Sequence, residues 1–473
     1  MVRALAALLT SSLVTILVGV IRQKAVALQV GPAGIGQLGL MLSLVGAAAT
    51  IGGVGLATSG VQRVSVTAQL PSGAAAQRGL LWMTAALGAA TGALVYALTP
   101  LIGGGFTGTT RSVVALAAAV TVAMSGQTAL LNGLGLLPRI AWINGIGAVI
   151  GTAVTVALLY IHPTWGVYGA VLAPLLSSYA LGLVLQRGQG QWQRRASLAA
   201  LWQEVRPMLA LGAVFAAGVG VSTLGQFAAR WFVQREYGPV ALGQYQAAWS
   251  VTLMYLGVLL NALSMEFFPR VSRVVAEGDV KRLNQVVSDQ VRLILALAVP
   301  VICLIALGRQ IVMTLLYTPE FVPAAGLLGT QLIGDTFKLT AWALSYTLLA
   351  RNAKWPMFFA EVLWVILYFA LLTGLKDVLG FSGLGWAYVG AYAAYLLFVS
   401  LMYRRLVSKA LDPQVWLYTL LGAAAVAVHV QAGASLALTV ALGAVDLVAT
   451  VGVGLRWWQT RKARALTTGA EST

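Results

Sequence analysis

Charged residues are scarce in this chain of 473 residues, and their scarcity excludes an ordinary soluble domain. Asp, Glu, Lys and Arg together make 9% of the sequence, whereas soluble domains carry about a quarter. Apolar residues make 59%, and the mean hydropathy is +0.86. Most of the apolar runs between the charges are long enough to cross about 30 Å of hydrocarbon. A buried core helix could explain one such run but not a dozen, so the sequence predicts a multi-pass integral membrane protein.

Residues that usually carry chemistry are equally scarce. The single cysteine, Cys303, lies in an apolar run, which excludes a disulfide framework, and His162 and His429 are too far apart to suggest a metal site. No GxxxxGK[ST], HExxH or GxSxG motif occurs. No loop is long enough to hold a catalytic domain. We therefore expect no enzyme activity, no catalytic residue, no metal and no cofactor.

The apolar runs predict an all-α fold of about fourteen transmembrane helices. The first run continues into further spans, so it reads as a helix rather than a cleaved signal peptide. The predicted spans lie near 4–30, 34–58, 79–99, 112–137, 140–160, 167–186, 207–234, 241–265, 291–308, 322–350, 357–375, 383–403, 414–431 and 434–456. An even number of spans places both termini on the same side of the membrane.

The formal charge of +17 could suggest a nucleic-acid partner, but its distribution does not. Most of the 30 lysines and arginines fall on the side of the two termini, and the other side holds only Arg111, Arg235, Arg309 and Lys376. Cytoplasmic loops of membrane proteins are enriched in basic residues in this way. The charge therefore predicts cytoplasmic termini and contact with the lipid bilayer, and we expect no nucleic-acid partner.

An internal repeat relates the two halves of the chain. The sequence VGPAGIGQ at 30–37 recurs as YGPVALGQ at 237–244, and QRVS at 62–65 recurs as PRVS at 269–272. The offset is 207 residues throughout, and identities that keep one offset are hard to obtain by chance. Six spans fit within that offset. Because six is even, we expect two parallel six-helix lobes related by an axis along the membrane normal.

The repeat sets the predicted domain boundaries. We expect an N-terminal lobe at 1–186, a cytoplasmic linker at 187–206, a C-terminal lobe at 207–406, and two further helices with a basic cytoplasmic tail at 407–473. A bundle of two lobes suits alternating access, in which a central cavity opens to either side in turn. The alternative is a duplicated membrane scaffold that transports nothing.

Charged residues inside the predicted spans argue for transport, because they are costly in a membrane and usually face a cavity or a partner. Away from the ends of the first twelve predicted spans, four basic and two acidic residues lie inside the apolar runs: Arg22, Lys24, Arg230, Asp335, Lys338 and Glu361. A cavity with a basic excess would attract an anion, and guanidinium groups match the oxygens of a diphosphate. We therefore predict that these basic residues bind an anionic substrate. Arg22 and Lys24 are two residues apart and point to nearly opposite faces of the helix, so we expect one of them to line the cavity and the other to extend to the outer surface.

The acidic residues leave two interpretations open. Asp335 and Lys338 are three residues apart and share one helix face, so they could form a self-neutralising pair or part of the transport site. Glu361 could pair with a basic group or carry a proton. We predict that Asp335 and Glu361 couple ion movement to transport.

Two further basic residues lie at matching ends of the repeat. Arg63 and Arg270 each follow the second helix of a half on the cytoplasmic side. They could be ordinary topological anchors, or gate residues that bind a phosphorylated headgroup as it enters. The stretch 266–292 alternates apolar and polar residues at helical spacing, which predicts an interfacial amphipathic helix followed by the start of the ninth span.

The stretch QLIGDTFKLTAWALSYTLLARNAKWPMFFAEVLW at 331–364, together with GPAGIG at 31–36 and a lysine seven residues upstream, resembles a known family. It is similar to the lipid III flippase-like polysaccharide transporters of the multidrug/oligosaccharidyl-lipid/polysaccharide (MOP) superfamily, which includes Wzx O-antigen flippases. The resemblance covers residues 1–406. Lys24, Asp335, Lys338 and Glu361 match polar positions of the family, whereas Arg22 and Arg230 rest on charge alone.

The resemblance implies a function. Such a protein moves an oligosaccharide linked to undecaprenyl diphosphate from the cytoplasmic to the periplasmic leaflet of the bacterial inner membrane, driven by proton motive force or membrane potential. A polysaccharide polymerase and a chain-length regulator are the implied protein partners. The alternative within the superfamily is a multidrug or cation antiporter, against which the basic excess argues.

Overall fold

A computed structural model describes residues 2–432 apart from 71, 104–105, 107, 187–196, 263–266 and 408–410. The described part is helical and contains no strand, which confirms the all-α prediction. Its helices are α1 (Val2–Gly52), α2 (Leu56–Thr67), α3 (Gly73–Ile102), α4 (Gly108–Gly133), α5 (Leu137–Ile161), α6 (Pro163–Gln186), α7 (Leu198–Ala262), α8 (Phe268–Glu277), α9 (Val280–Leu307), α10 (Arg309–Leu316), α11 (Ala324–Ala350), α12 (Lys354–Leu379), α13 (Gly383–Val407) and α14 (Pro413–Ala432). Single 3₁₀ turns lie at Pro319–Phe321 and Gly380–Ser382.

Within this part, eight helical stretches are long and apolar enough to cross a membrane, or nine if the bent pair in α7 is one span. The number of stretches is smaller than the fourteen predicted spans because some stretches hold two predicted spans each. These are Val14–Gly52, α7 and Lys354–Val407. In addition, α11 is not among the stretches. The predicted span at 434–456 lies outside the described residues.

The repeat reappears as the same backbone break in α1 and α7. Gly31 has φ 61° and ψ −164°, and Gly238 has φ 85° and ψ 176°. Residues other than glycine almost never adopt this combination of φ and ψ, so glycine is required at both positions. The proline that follows each glycine lacks an N–H and begins the next helical segment. Each long helix therefore has two segments joined at a Gly-Pro kink, and α7 also bends by 53° between Ala213 and Ala216.

A second matched feature follows each kink. The segment after Gly31 ends at Gly52, earlier than the predicted residue 58, because Val54 and Gly55 adopt positive φ. The short helix α2 then begins, and α8 occupies the corresponding position in the second half. The amphipathic stretch at 266–292 comprises α8 and the first turns of α9, and Asp279 caps α9 by accepting a hydrogen bond of 2.9 Å from the Arg282 N–H.

The chain divides into two compact units. The first unit is Met1–Gln246 with Leu316–Glu320, and the second is Ala247–Leu315 with Phe321–Thr473. The units are defined by spatial contact and the predicted lobes by the sequence repeat, so the boundaries at 186, 206 and 406 stay predictions.

In the first unit, α1 packs on α5, α3 on α4, and α5 on α6. Leu56, Leu80, Leu130 and Met208 form a buried cluster that draws on α2, α3, α4 and α7. The α5–α6 contact depends on small residues, because a Cβ on Gly147 would meet Ser178 and one on Gly151 would meet the backbone of Pro174. Small residues of this kind let helices approach closely in lipid.

In the second unit, α11 is the central helix. It packs against α13, α14, α9, α8 and α12, and most of its residues from Ala324 to Leu348 are buried. A helix surrounded in this way has no face on which to place a charge in water. The two charges that it carries therefore need an explanation.

Candidate functional site

The two charged residues near the middle of α11 are almost completely buried. Asp335 is 0% exposed and Lys338 is 3% exposed. An isolated charge in such surroundings is very costly unless it is paired and hydrogen-bonded. The neighbouring helices supply the partners, and all of them lie in the second unit.

Tyrosine hydroxyls satisfy the Asp335 carboxylate. Tyr255 from α7 donates to one carboxylate oxygen, and Tyr388 from α13 donates to the other over 2.6 Å. The Tyr388 hydroxyl also accepts a hydrogen bond of 3.2 Å from the Lys338 ammonium. In the described residues, Asp335 and Lys338 form no direct ion pair. Instead, Tyr388 connects them, so this arrangement differs from a simple self-neutralising pair.

Aromatic rings surround the Lys338 ammonium. Its nitrogen lies 5.0 Å from the ring centre of Tyr392, 5.2 Å from Trp342, 5.7 Å from Tyr388 and 5.8 Å from Trp249. The negative faces of such rings attract a cation at these distances, and the attraction strengthens when water is excluded. The attraction to these rings therefore offsets part of the cost of burying a positive charge at Lys338.

Glu361 from α12 extends this cluster. Its carboxylate accepts a hydrogen bond of 3.2 Å from Tyr395 and interacts electrostatically with Lys338. The second unit thus brings together Asp335, Lys338 and Glu361. We call these three residues with Tyr255 and Tyr388 the buried charge cluster.

The tyrosines of this cluster were not among the predicted site residues. Tyr388, Tyr392 and Tyr395 are spaced at i, i+4 and i+7 on α13, so they share one helix face. That spacing was a usable signal, because hydroxyl-bearing rings on one face of a membrane helix indicate a polar partner helix. Tyr255 and Trp249 come from the far end of α7 and had no comparable signal.

The basic residues of α1 and α7 lie in the first unit. Arg230 is 5% exposed, and its guanidinium donates to the Gln246 side chain over 2.8 Å and to the Gln226 carbonyl over 2.9 Å. Lys24 donates to the main-chain carbonyl of Tyr317, while Arg22 is partly buried. Lys338 belongs to the second unit, so the convergence of Lys24, Arg230 and Lys338 on one chamber stays a prediction.

The two repeat-matched arginines differ from each other. The Arg63 guanidinium pairs with Glu204 of α7 at 2.8 Å. Arg270 is exposed, and it has no ion-pair partner in the described part of the chain. Residue 411, which matches Glu204 at the repeat offset, is leucine. Arg63 is therefore partly neutralised, whereas Arg270 could meet an anion.

The chain matches the model of a known protein family. The model of a family described as polysaccharide biosynthesis protein matches residues 26–325. No curated protein sequence matches the chain. The family match includes both Gly-Pro kinks and both repeat-matched arginines.

Solved structures give a consistent fold. An inward-facing multidrug resistance MATE family transporter of the MOP superfamily superposes with a TM-score of 0.69 at 15% identity, over 84% of this chain and 94% of its own. The lipid II flippase MurJ, in an inward closed conformation, superposes with a TM-score of 0.68 at 11% sequence identity, over 95% of this chain and 98% of its own. A MOP superfamily transporter from Pyrococcus furiosus, described as having a binding pocket of reverse polarity, superposes with a TM-score of 0.59 at 16% sequence identity. The match covers 86% of this chain and 95% of that protein.

Proposed function

Because the chain belongs to the polysaccharide biosynthesis protein family and has the fold of the MOP superfamily transporters, we propose that it is a lipid-linked oligosaccharide flippase. Its substrate is an oligosaccharide on undecaprenyl diphosphate. The protein moves this lipid from the cytoplasmic to the periplasmic leaflet by alternating access. It works in the bacterial inner membrane, with both termini in the cytoplasm.

The observation that carries this proposal is the buried charge cluster. A scaffold gains nothing from placing Asp335 and Lys338 inside a surrounded helix, because apolar residues of similar size would pack there at a lower cost. Ionisable residues inside a membrane protein usually mark a substrate or ion pathway. The cluster therefore favours transport over the scaffold alternative.

The basic residues support an anionic substrate. Arg230 presents a buried guanidinium, a group that can bind two phosphate oxygens at once. Lys24, Arg22 and Lys338 add positive charge, and Arg270 is exposed where the diphosphate headgroup would enter, with Arg63 as its neutralised counterpart. Lys24 would reach the substrate in the state in which its hydrogen bond to Tyr317 is broken.

Asp335 and Glu361 supply the coupling in this proposal. Protonation of Asp335 would remove the charge that holds Tyr255, Tyr388 and, through Tyr388, Lys338 in place. A proton could therefore change the position of α11 against α13. The energy would come from the proton motive force or the membrane potential, and a polysaccharide polymerase with its chain-length regulator would receive the product.

Reconstitution tests the proposal. Purified protein in liposomes should flip a fluorescent oligosaccharide linked to undecaprenyl diphosphate, and Arg230→Ala, Lys24→Ala and Lys338→Ala should each reduce the rate at least tenfold. Lys338→Arg should keep part of the activity, because the charge survives while the geometry changes. Arg404→Ala, which removes an exposed charge at the end of α13, is the matched control. Wild-type rates in all three alanine variants would require the anionic-cavity mechanism to be abandoned.

The MATE likeness keeps a multidrug antiporter as the second candidate. A cationic drug would need an aromatic and acidic site, and the aromatic cage of this protein already holds its own cation, Lys338. Expression in a drug-sensitive host decides between the two. Raised resistance to cationic drugs, with no flipping of the lipid-linked sugar, would favour the antiporter.

A further inference from the structure

Two hydrogen bonds in the first unit have donors at equivalent positions of the internal repeat, although their acceptors do not keep the repeat offset. Lys24 in α1 and Trp231 in α7 are separated by the repeat offset of 207 residues. The Lys24 ammonium donates to the Tyr317 carbonyl, and the Trp231 indole N–H donates to the Ile102 carbonyl over 3.0 Å. Both donors lie shortly before a Gly-Pro kink, on the side predicted to be periplasmic, which we call the outer side.

Each bond joins one half of the repeat to the other. Lys24 belongs to the first half and Tyr317 to the second, whereas Trp231 belongs to the second half and Ile102 to the first. Gln23 strengthens the first contact, because its amide donates to the Tyr317 hydroxyl over 2.6 Å. The contacts are therefore reciprocal, although the two donors differ chemically.

Both acceptor carbonyls lie at the C-terminal end of a helix. Ile102 is the last residue of α3, and Tyr317 directly follows Leu316, the last residue of α10. The last carbonyls of a helix have no partner within the helix, and they carry the negative end of its dipole. A donor from another helix supplies the missing hydrogen bond, so each of the two bonds stabilises the end of a helix.

The two kinks also contact each other closely. A Cβ on Gly36 would lie 2.7 Å from the Pro239 carbonyl oxygen, and a Cβ on Gly243 would meet the Pro32 carbonyl oxygen. Gly36 and Gly243 are again separated by the repeat offset. The backbones of the two segments that follow the kinks are therefore in direct contact. Each glycine packs against the carbonyl of the proline in the other half.

We propose that Lys24 and Trp231 are matched positioning residues that hold the outer ends of the two repeat halves together. The reciprocal bonds and the Gly36–Gly243 crossing form one closure, called here the outer latch. Opening toward the periplasm breaks both bonds. This inference rests on the proposed alternating access, but it concerns a resting contact that can be measured without substrate.

A reporter cysteine tests the latch. Leu242 is 0% exposed beside Gly243, so Leu242→Cys in a Cys303→Ala background should react slowly with a membrane-impermeant maleimide added to intact cells. Trp231→Phe keeps a ring but removes the donor, and it should raise the labelling rate about fivefold, as expected for one lost hydrogen bond. Trp165→Phe changes an exposed tryptophan at the predicted outer end of α6 and should leave the rate unchanged.

Lys24→Met provides the matched test in the first half. It should raise labelling about tenfold, because a charged donor contributes more than a neutral one, and the double variant should exceed either single variant. Protein abundance is measured in parallel. If one of the two single variants fails to fold, the labelling rate of the other single variant tests the latch. Labelling at the parent rate in a folded Trp231→Phe or Lys24→Met protein would overturn the latch and leave the flipping assay untouched.

Discussion

At the scale of single residues, Tyr388 is the link on which the buried charge cluster depends. Its hydroxyl donates to Asp335 and accepts from Lys338. Tyr388→Phe would leave both buried charges without this partner, which costs about 1–3 kcal/mol. We expect a lower melting temperature in detergent and loss of flipping.

The control for this prediction is Tyr418→Phe, which removes a hydroxyl from an exposed tyrosine of α14 and should change neither quantity. An unchanged melting temperature in Tyr388→Phe would mean that the hydroxyl does not bridge the charges. A lower melting temperature with full flipping activity would make the cluster purely structural.

The composition of the site could be predicted further than its geometry. Charges inside apolar spans are visible in the sequence, so Asp335, Lys338 and Glu361 could be predicted as a group. Which hydroxyls satisfy them could not, since Tyr255 and Tyr388 are far apart in the chain and meet only through packing on α11. The partner of Arg63 was missed for the same reason, because Glu204 belongs to the stretch that precedes the predicted seventh span.

At the scale of helices, the Gly-Pro kinks are the elements whose substitution has a clear cost. Gly238 has φ 85° and ψ 176°, and a Cβ there would meet no atom within 4 Å. Gly238→Ala therefore adds backbone strain without a clash, about 1–3 kcal/mol. We expect a lower melting temperature in detergent.

Gly46→Ala is the control for the kink. Gly46 is helical in α1 and also has open space at the Cβ position, so alanine should leave stability unchanged or raise it by up to about 1 kcal/mol. Equal melting temperatures for Gly238→Ala and wild type would show that the kink can relax into ordinary helix.

Helix positions were predictable because hydropathy reports burial in lipid, but helix ends were not. Residues 34–58 were predicted as one span, yet the backbone turns at Val54 and Gly55, and a positive φ at valine has no sequence signal. The kinks were visible through the repeated Gly-Pro pair, whereas the close contact of Gly36 with Gly243 needs the tertiary arrangement.

At the scale of the whole molecule, exposed apolar residues identify the lipid-facing surface. Leu17, Leu28 and Leu397, which lie within predicted spans, are each more than 60% exposed. In a soluble protein such residues would promote aggregation, but in a multi-pass membrane protein they contact acyl chains. The few charges of the chain are thus divided between the loops, where we expect them to set the orientation, and the interior, where we propose that they form the site.

Orientation is the property of the whole molecule that the sequence predicts and that labelling can measure. Because basic residues concentrate on one side, we expect that side to be cytoplasmic. In a Cys303→Ala background, Gln310→Cys between α9 and α11 should react with an impermeant maleimide in intact cells. Ala276→Cys at the end of α8 should react only after permeabilisation; both positions are exposed. We expect a cysteine at Gly105 to react in intact cells, and cysteines at Gln191 and Thr473 to react only after permeabilisation. These three positions lie outside the described residues. Labelling of Ala276→Cys from outside would reverse the orientation, and the outer latch would then lie in the cytoplasm.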